Sequence, residues 1–157
     1  MQPASSTAED SIMLLVDDQQ LRREAVAMLL KPWAEAAGIG RIEELALVAS
    51  PTSTPEQWVL MCISVGAQPI SDDELQGEIQ RWRSMSAKIP LVLISDLADS
   101  DSITAAFRIG INGFLPTDTP PDIAFKALTF ILNGGDFFPP SALQTTRRNG
   151  PSATTAG

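Results

Sequence analysis

Two adjacent carboxylates are the side chains of this sequence best suited to chemistry. Asp17 and Asp18 close the apolar run Ile12–Val16 and stand directly before a stretch with helical patterning. Side by side they repel, and each is costly to bury unless a cation or hydrogen-bond donors compensate it. One reading is an acidic pocket for a divalent metal, which takes hard oxygen ligands. The other is a polar strand end, with Asp18 serving the N-terminus of the following helix. Composition removes several rival chemistries. There is no histidine among the 157 residues, so imidazole acid–base catalysis, a serine triad and histidine metal sites are excluded. Cys62, the single cysteine, lies inside an apolar run and reads as a small buried hydrophobe. A chain with no internal disulfide suits a reducing compartment, and the expected localisation is cytoplasmic.

The pair needs elements to position it, and composition allows them: 44% apolar and 19% charged residues can build one domain with a substantial core. The formal net charge of −8 offers no positive footprint for nucleic acid or an anionic membrane. No segment approaches the about 18 apolar residues of a membrane span, and no signal peptide is legible at the N-terminus. Residues 1–11 and 144–157 are small, polar and low in complexity, so a flexible leader and a linker or tail are expected around a domain at 12–143.

Within that domain, apolar runs alternate with helical patterns. Strands are expected at Ile12–Val16, 39–42, 58–64, Leu91–Ser95 and 113–115. Helices are expected with Leu21, Ala25, Met28 and Leu29 as an inner face, then at 44–49, although that stretch also passes for a strand. Further helices begin at Asp72 or Asp73 (carrying Leu75, Ile79 and Trp82), at Ser100 or Asp101, and at Pro121, the last ending near Asn133. Five strands alternating with five helices predict an α/β, three-layer, doubly wound parallel sheet. Its functional crevice lies at the carboxyl ends of the strands, which singles out Asp17, Asp18, Ser64, Ser95 and Thr117.

VDDQQLRREAVAMLL and GINGFLPTDTPPDIAFKALTFILNGGDFFPPSAL, with the strand-end residues between them, resemble the receiver domain of two-component response regulators. The likeness spans residues 12–143 and is strongest to the NarL/FixJ-like branch, whose members carry a LuxR-type helix-turn-helix. It implies a flavodoxin-like sheet of strand order 2-1-3-4-5. It also implies phosphoryl transfer from a phosphohistidine to an aspartate ending the third strand, assisted by Mg²⁺ on an acidic pair, a hydroxyl ending the fourth strand and a lysine ending the fifth. Asp17 and Asp18 match the acidic pair, Ser95 the hydroxyl and Phe114 the switch aromatic. The acceptor position falls on Ser64, or on Cys62 if the strand ends earlier, and the lysine position on Thr117.

With the acceptor and the lysine both replaced, the resemblance implies an atypical, or pseudo-, receiver. Serine is a poor acceptor without a base, and two carboxylates hold Mg²⁺ only weakly. The expected function is regulatory and non-enzymatic: the receiver-like part of a LuxR-type regulator, in signal transduction and transcription regulation, acting through dimerisation or partner binding. DNA would be contacted only through a C-terminal helix-turn-helix, if the natural protein has one. Two alternatives stay open: phosphotransfer through an unexpected acceptor, and small-ligand sensing by the degenerate pocket of Asp17, Asp18, Ser64, Ser95 and Thr117. In the last helix, Ile123, Ala127, Phe130 and Ile131 are expected to face the core. Phe125, Leu128 and Leu132 form a second stripe, for a homodimer interface or for cover by the exit segment 137–139.

Overall fold

Alternate residues of β1 (Ile12–Val16) belong to different cores. Ile12, Leu14 and Val16 join one apolar cluster, Met13 and Leu15 the other, as in a strand covered on both faces. The same alternation runs through β3 (Trp58–Gly66) and β4 (Leu91–Ser95), with Met61, Ile63, Leu91 and Leu93 on one side and Leu60, Cys62 and Val92 on the other. The computed structural model describes residues 10–139; the expected tail lies outside the described residues, as does the expected leader but for Asp10 and Ser11. With β2 (Arg41–Leu45) and β5 (Gly113–Pro116) the strands form one parallel sheet of order β2-β1-β3-β4-β5. Helices α1 (Gln20–Ala36) and α4 (Pro121–Leu132) cover one face. Helices α2 (Asp73–Met85) and α3 (Ser100–Ile109) cover the other. The three-layer doubly wound architecture expected from the alternation is thus present.

Three details depart from expectation. The helix at 44–49 is absent: Glu44 and Leu45 complete β2, and the connection to β3 is irregular apart from a 3-10 turn at Pro55–Gln57. Two prolines, Pro51 and Pro55, disfavour helix there, and side chains take over the backbone's hydrogen bonds. Leu47 N–H donates to Asp18 Oδ1 at 2.7 Å, and Leu47 C=O accepts from Trp82 Nε1 and Arg81 Nη2, both at 2.7 Å. Helix α1 is rotated from the expected face. Ala27, Leu30 and Ala34 meet the sheet, while Leu21 and Met28 are 86% and 76% exposed, because small residues let the helix lie close to the strands.

Helix α4 is likewise turned. Leu128 is buried with Ala127 and Ile131, Phe125 and Leu132 flank the same cluster, and Ile123 and Phe130 are exposed. Leu128 therefore offers no surface to a partner. Phe130 instead lies over Gly135, where a Cβ would approach its ring to 2.2 Å. The exit segment folds back along β5: Phe137 bridges Gly113, receives a bond from Phe114 N–H and donates its own N–H to Asn112 C=O, each at 2.9 Å. As expected, α2 is capped by Asp72 and α3 begins at Ser100; its cap is Asp99, which accepts from Ser102 N–H and Oγ.

Candidate functional site

β1 delivers Asp17 and Asp18 to the C-terminal rim of the sheet beside the end of β3, its hydrogen-bonded neighbour. Their environments differ. Asp17 is 1% exposed, and both its carboxylate oxygens are engaged: Oδ1 accepts from Gln19 N–H at 2.9 Å and from Arg22 Nη2 at 2.6 Å, Oδ2 from Arg22 Nε at 2.7 Å. This two-pronged pairing is the strong form of the arginine–carboxylate bond. Asp18 is exposed and spends Oδ1 on Leu47, so it pins the irregular β2–β3 connection.

A β-bulge at the end of β3, between Ser64 and Gly66, shapes the floor of the rim. Ser64 is buried and, with Asp18, Arg22, Leu47 and Gln68, lines a cleft of about 590 Å³. Gly66 adopts a left-handed φ of 61°, and a Cβ there would meet Arg22 Nη1 at 2.4 Å. The Arg22 guanidinium therefore spans from the end of β1 to the end of β3. The hydrogen bond with Asp17 raises its pKa above the ordinary arginine value against the opposing effect of burial, and the charges of Asp17, Asp96 and Asp18 add to the rise.

Ser95 and Thr117 do not join this cleft. Ser95 is buried at the end of β4: its Oγ accepts from Leu97 N–H at 3.0 Å and has Leu97 C=O at 3.2 Å and Gly66 C=O of β3 at 3.4 Å as acceptors. Thr117 is held by Ser95 C=O through its N–H and donates its hydroxyl to Asp96 Oδ1 at 2.5 Å. Phe114 is fully buried in the α2/α3 core, level with Leu93 of β4. The structure thus brings Asp17, Asp18 and Ser64 around one rim and leaves Ser95 and Thr117 in bonds of their own. Sequence reasoning missed Arg22 and Asp96. The signal for Arg22 was available: α1 carries no acid in its first turn, and a cation there opposes the helix dipole.

The donor set does not fit Mg²⁺. Asp17 is committed to a guanidinium, Asp18 to a backbone amide, and Ser64 brings a neutral hydroxyl where a third anion would be needed. Among the described residues, no group of three or more Asp, Glu, Cys or His side chains is placed to hold a metal.

Solved structures share this arrangement of sheet and helices. The isolated REC domain of RcsB from Salmonella enterica serovar Typhimurium, in the presence of BeF3⁻, superposes with a TM-score of 0.66 at 14% identity, over 86% of this chain and 97% of that one. This chain has the receiver fold. A LuxR family DNA-binding response regulator from Silicibacter pomeroyi has the same receiver fold, with a TM-score of 0.59 at 22% identity over 84% and 98% of the two chains. A similar sequence is the "Glycerol metabolism activator" of Pseudomonas putida, 23% identical over 138 residues and 88% of this chain. The match spans 61% of that activator's length. No protein-family model matches the chain. No helix among the described residues is long and apolar enough to cross a membrane.

Proposed function

We propose that this receiver-fold domain is a non-catalytic regulatory module of a LuxR-type response regulator whose output does not depend on aspartyl phosphorylation. The observation that carries the reading is Ser64: the residue at the end of β3 that faces the acidic rim is a hydroxyl, with no histidine in the chain to activate it. The absence of lysine at Thr117, whose hydroxyl is turned to Asp96, supports it further. The LuxR-family receiver-fold neighbours and the activator from Pseudomonas putida support a role in transcription regulation. Any DNA contact belongs to a helix-turn-helix outside these residues, since the chain itself carries a net charge of −8. The module works by self-association or partner binding, and Ile123 and Phe130 are the apolar side chains of α4 exposed for it.

The test is incubation with Mg²⁺ and acetyl phosphate, followed by intact-protein mass spectrometry and by light scattering of the same samples. Unchanged mass and unchanged oligomeric state are expected. A stable gain of one phosphoryl group would overturn the reading and direct the search to an unexpected acceptor.

A further inference from the structure

Asp17 poses a problem that the chain has solved internally. Its carboxylate is almost wholly removed from solvent, and a carboxylate so placed requires a compensating charge. We propose that Arg22 is the resident cation of this domain: its guanidinium takes, permanently and from within the chain, the seat between the ends of β1 and β3 that a divalent ion would otherwise fill. Three observations meet on this residue. Nε and Nη2 grip both oxygens of Asp17 at 2.7 and 2.6 Å. Nη1 lies against Gly66, the position where any larger residue would drive it out. Arg22 also stands in the first turn of α1, where the helix dipole disfavours a cation and the Asp17 carboxylate offsets that cost.

Guanidinium and metal compete for the same oxygens. A planar fork that makes two parallel bonds holds a positive charge against both oxygens of Asp17, where an inner-sphere ion would have to approach, and a lysine could not reproduce both bonds. Divalent cations are therefore not sensed at this rim while Arg22 is present. Removing the guanidinium releases Asp17, beside Asp18, to an octahedral ion that keeps most of its waters. This role of Arg22 holds whether or not the domain is phosphorylated at another residue.

The experiment compares wild type, Arg22→Gln and the double variant Asp17→Asn/Arg22→Gln, with Mn²⁺ as the probe ion read by electron paramagnetic resonance and Mg²⁺ varied in thermal melts. Wild type is expected to bind no Mn²⁺ at this rim and to melt at the same temperature with and without Mg²⁺. Arg22→Gln is expected to melt lower, to gain saturable Mn²⁺ binding and to recover stability as Mg²⁺ is added; the double variant loses both gains. Should Arg22→Gln fail to fold on its own, refolding from urea with and without Mn²⁺ reads the same exchange. Mn²⁺ binding by wild type equal to that of Arg22→Gln overturns the assignment. So does an Arg22→Gln protein that neither binds Mn²⁺ nor is stabilised or refolded by the ions.

Discussion

Glu43 is the residue whose replacement most directly tests how the irregular β2–β3 connection is held. It is 7% exposed on β2, and its carboxylate accepts from Thr52 N–H at 2.8 Å, from Thr52 Oγ1 at 3.0 Å and from Ser53 Oγ. Ser53 in turn accepts from Trp58 Nε1 at 2.8 Å, which ties the loop to the start of β3. Glu43→Gln preserves volume but removes the charge and points an amide N–H₂ at donors. Hydrogen bonds to a charged group contribute about 1.5–3 kcal/mol each, so a net loss of about 2 kcal/mol is expected, or about 4–8 °C in Tm for a chain of this size. The pH dependence is specific. Burial pushes the Glu43 carboxyl up, but the bonds from Ser53 and Thr52 outweigh it and hold the group below its ordinary 4.5. A depressed folded pKa contributes stability that is present above the unfolded value and lost as pH falls through the folded one. Melts of both proteins across this range should show the full gap at neutral pH and a closing gap as the solution is acidified below 4.5. A gap that stays constant into acid, or a Glu43→Gln protein that melts with wild type, refutes the carboxylate's role as the loop's anchor.

Two further outcomes are expected. Burial pushes the Cys62 thiol up to about 12, so thiol reagents at neutral pH should label it only as fast as the protein unfolds; rapid labelling of the folded chain would contradict its burial between β1 and β4. In urea unfolding, Leu128→Ala should cost about 2–5 kcal/mol and Phe130→Ala under about 1 kcal/mol, the reverse of what the sequence pattern of α4 suggests; the opposite ranking would mean that α4 faces the sheet the other way.

β1, β3 and β4 were legible because strands covered on both faces are continuously apolar, and these runs are too short between their polar or proline-marked ends for a buried helix. The strand-end placement of Asp17, Asp18 and Ser64 followed from the same runs. The faces of α1 and α4 were not legible, since both helices are apolar on more than one side. What decides between the sides is close approach: Ala27 and Ala34 admit a sheet where Met28 would hold it off. The β2–β3 connection was hidden for another reason. Besides the nearby anchor Glu43, its order comes from Asp18, Arg81 and Trp82, residues about 30 positions away, and no local pattern encodes partners at that distance. Arg22 was overlooked because a charge in a first helical turn looks like a solvated side chain until Asp17 is seen beneath it.

The return of the exit segment along β5 has a mechanical meaning. The chain leaves α4, turns at Gly134, and is clasped to Asn112 and Phe114 by the two main-chain bonds of Phe137 before it continues. Tension arriving from the residues downstream therefore loads the Phe137 clasp and β5 first, while α4, which lies upstream of the clasp, stays unloaded until those bonds part. Force on the C-terminal side is delivered to the edge of the sheet and, through the bond from Thr117 N–H to Ser95 C=O, from the end of β5 to the end of β4.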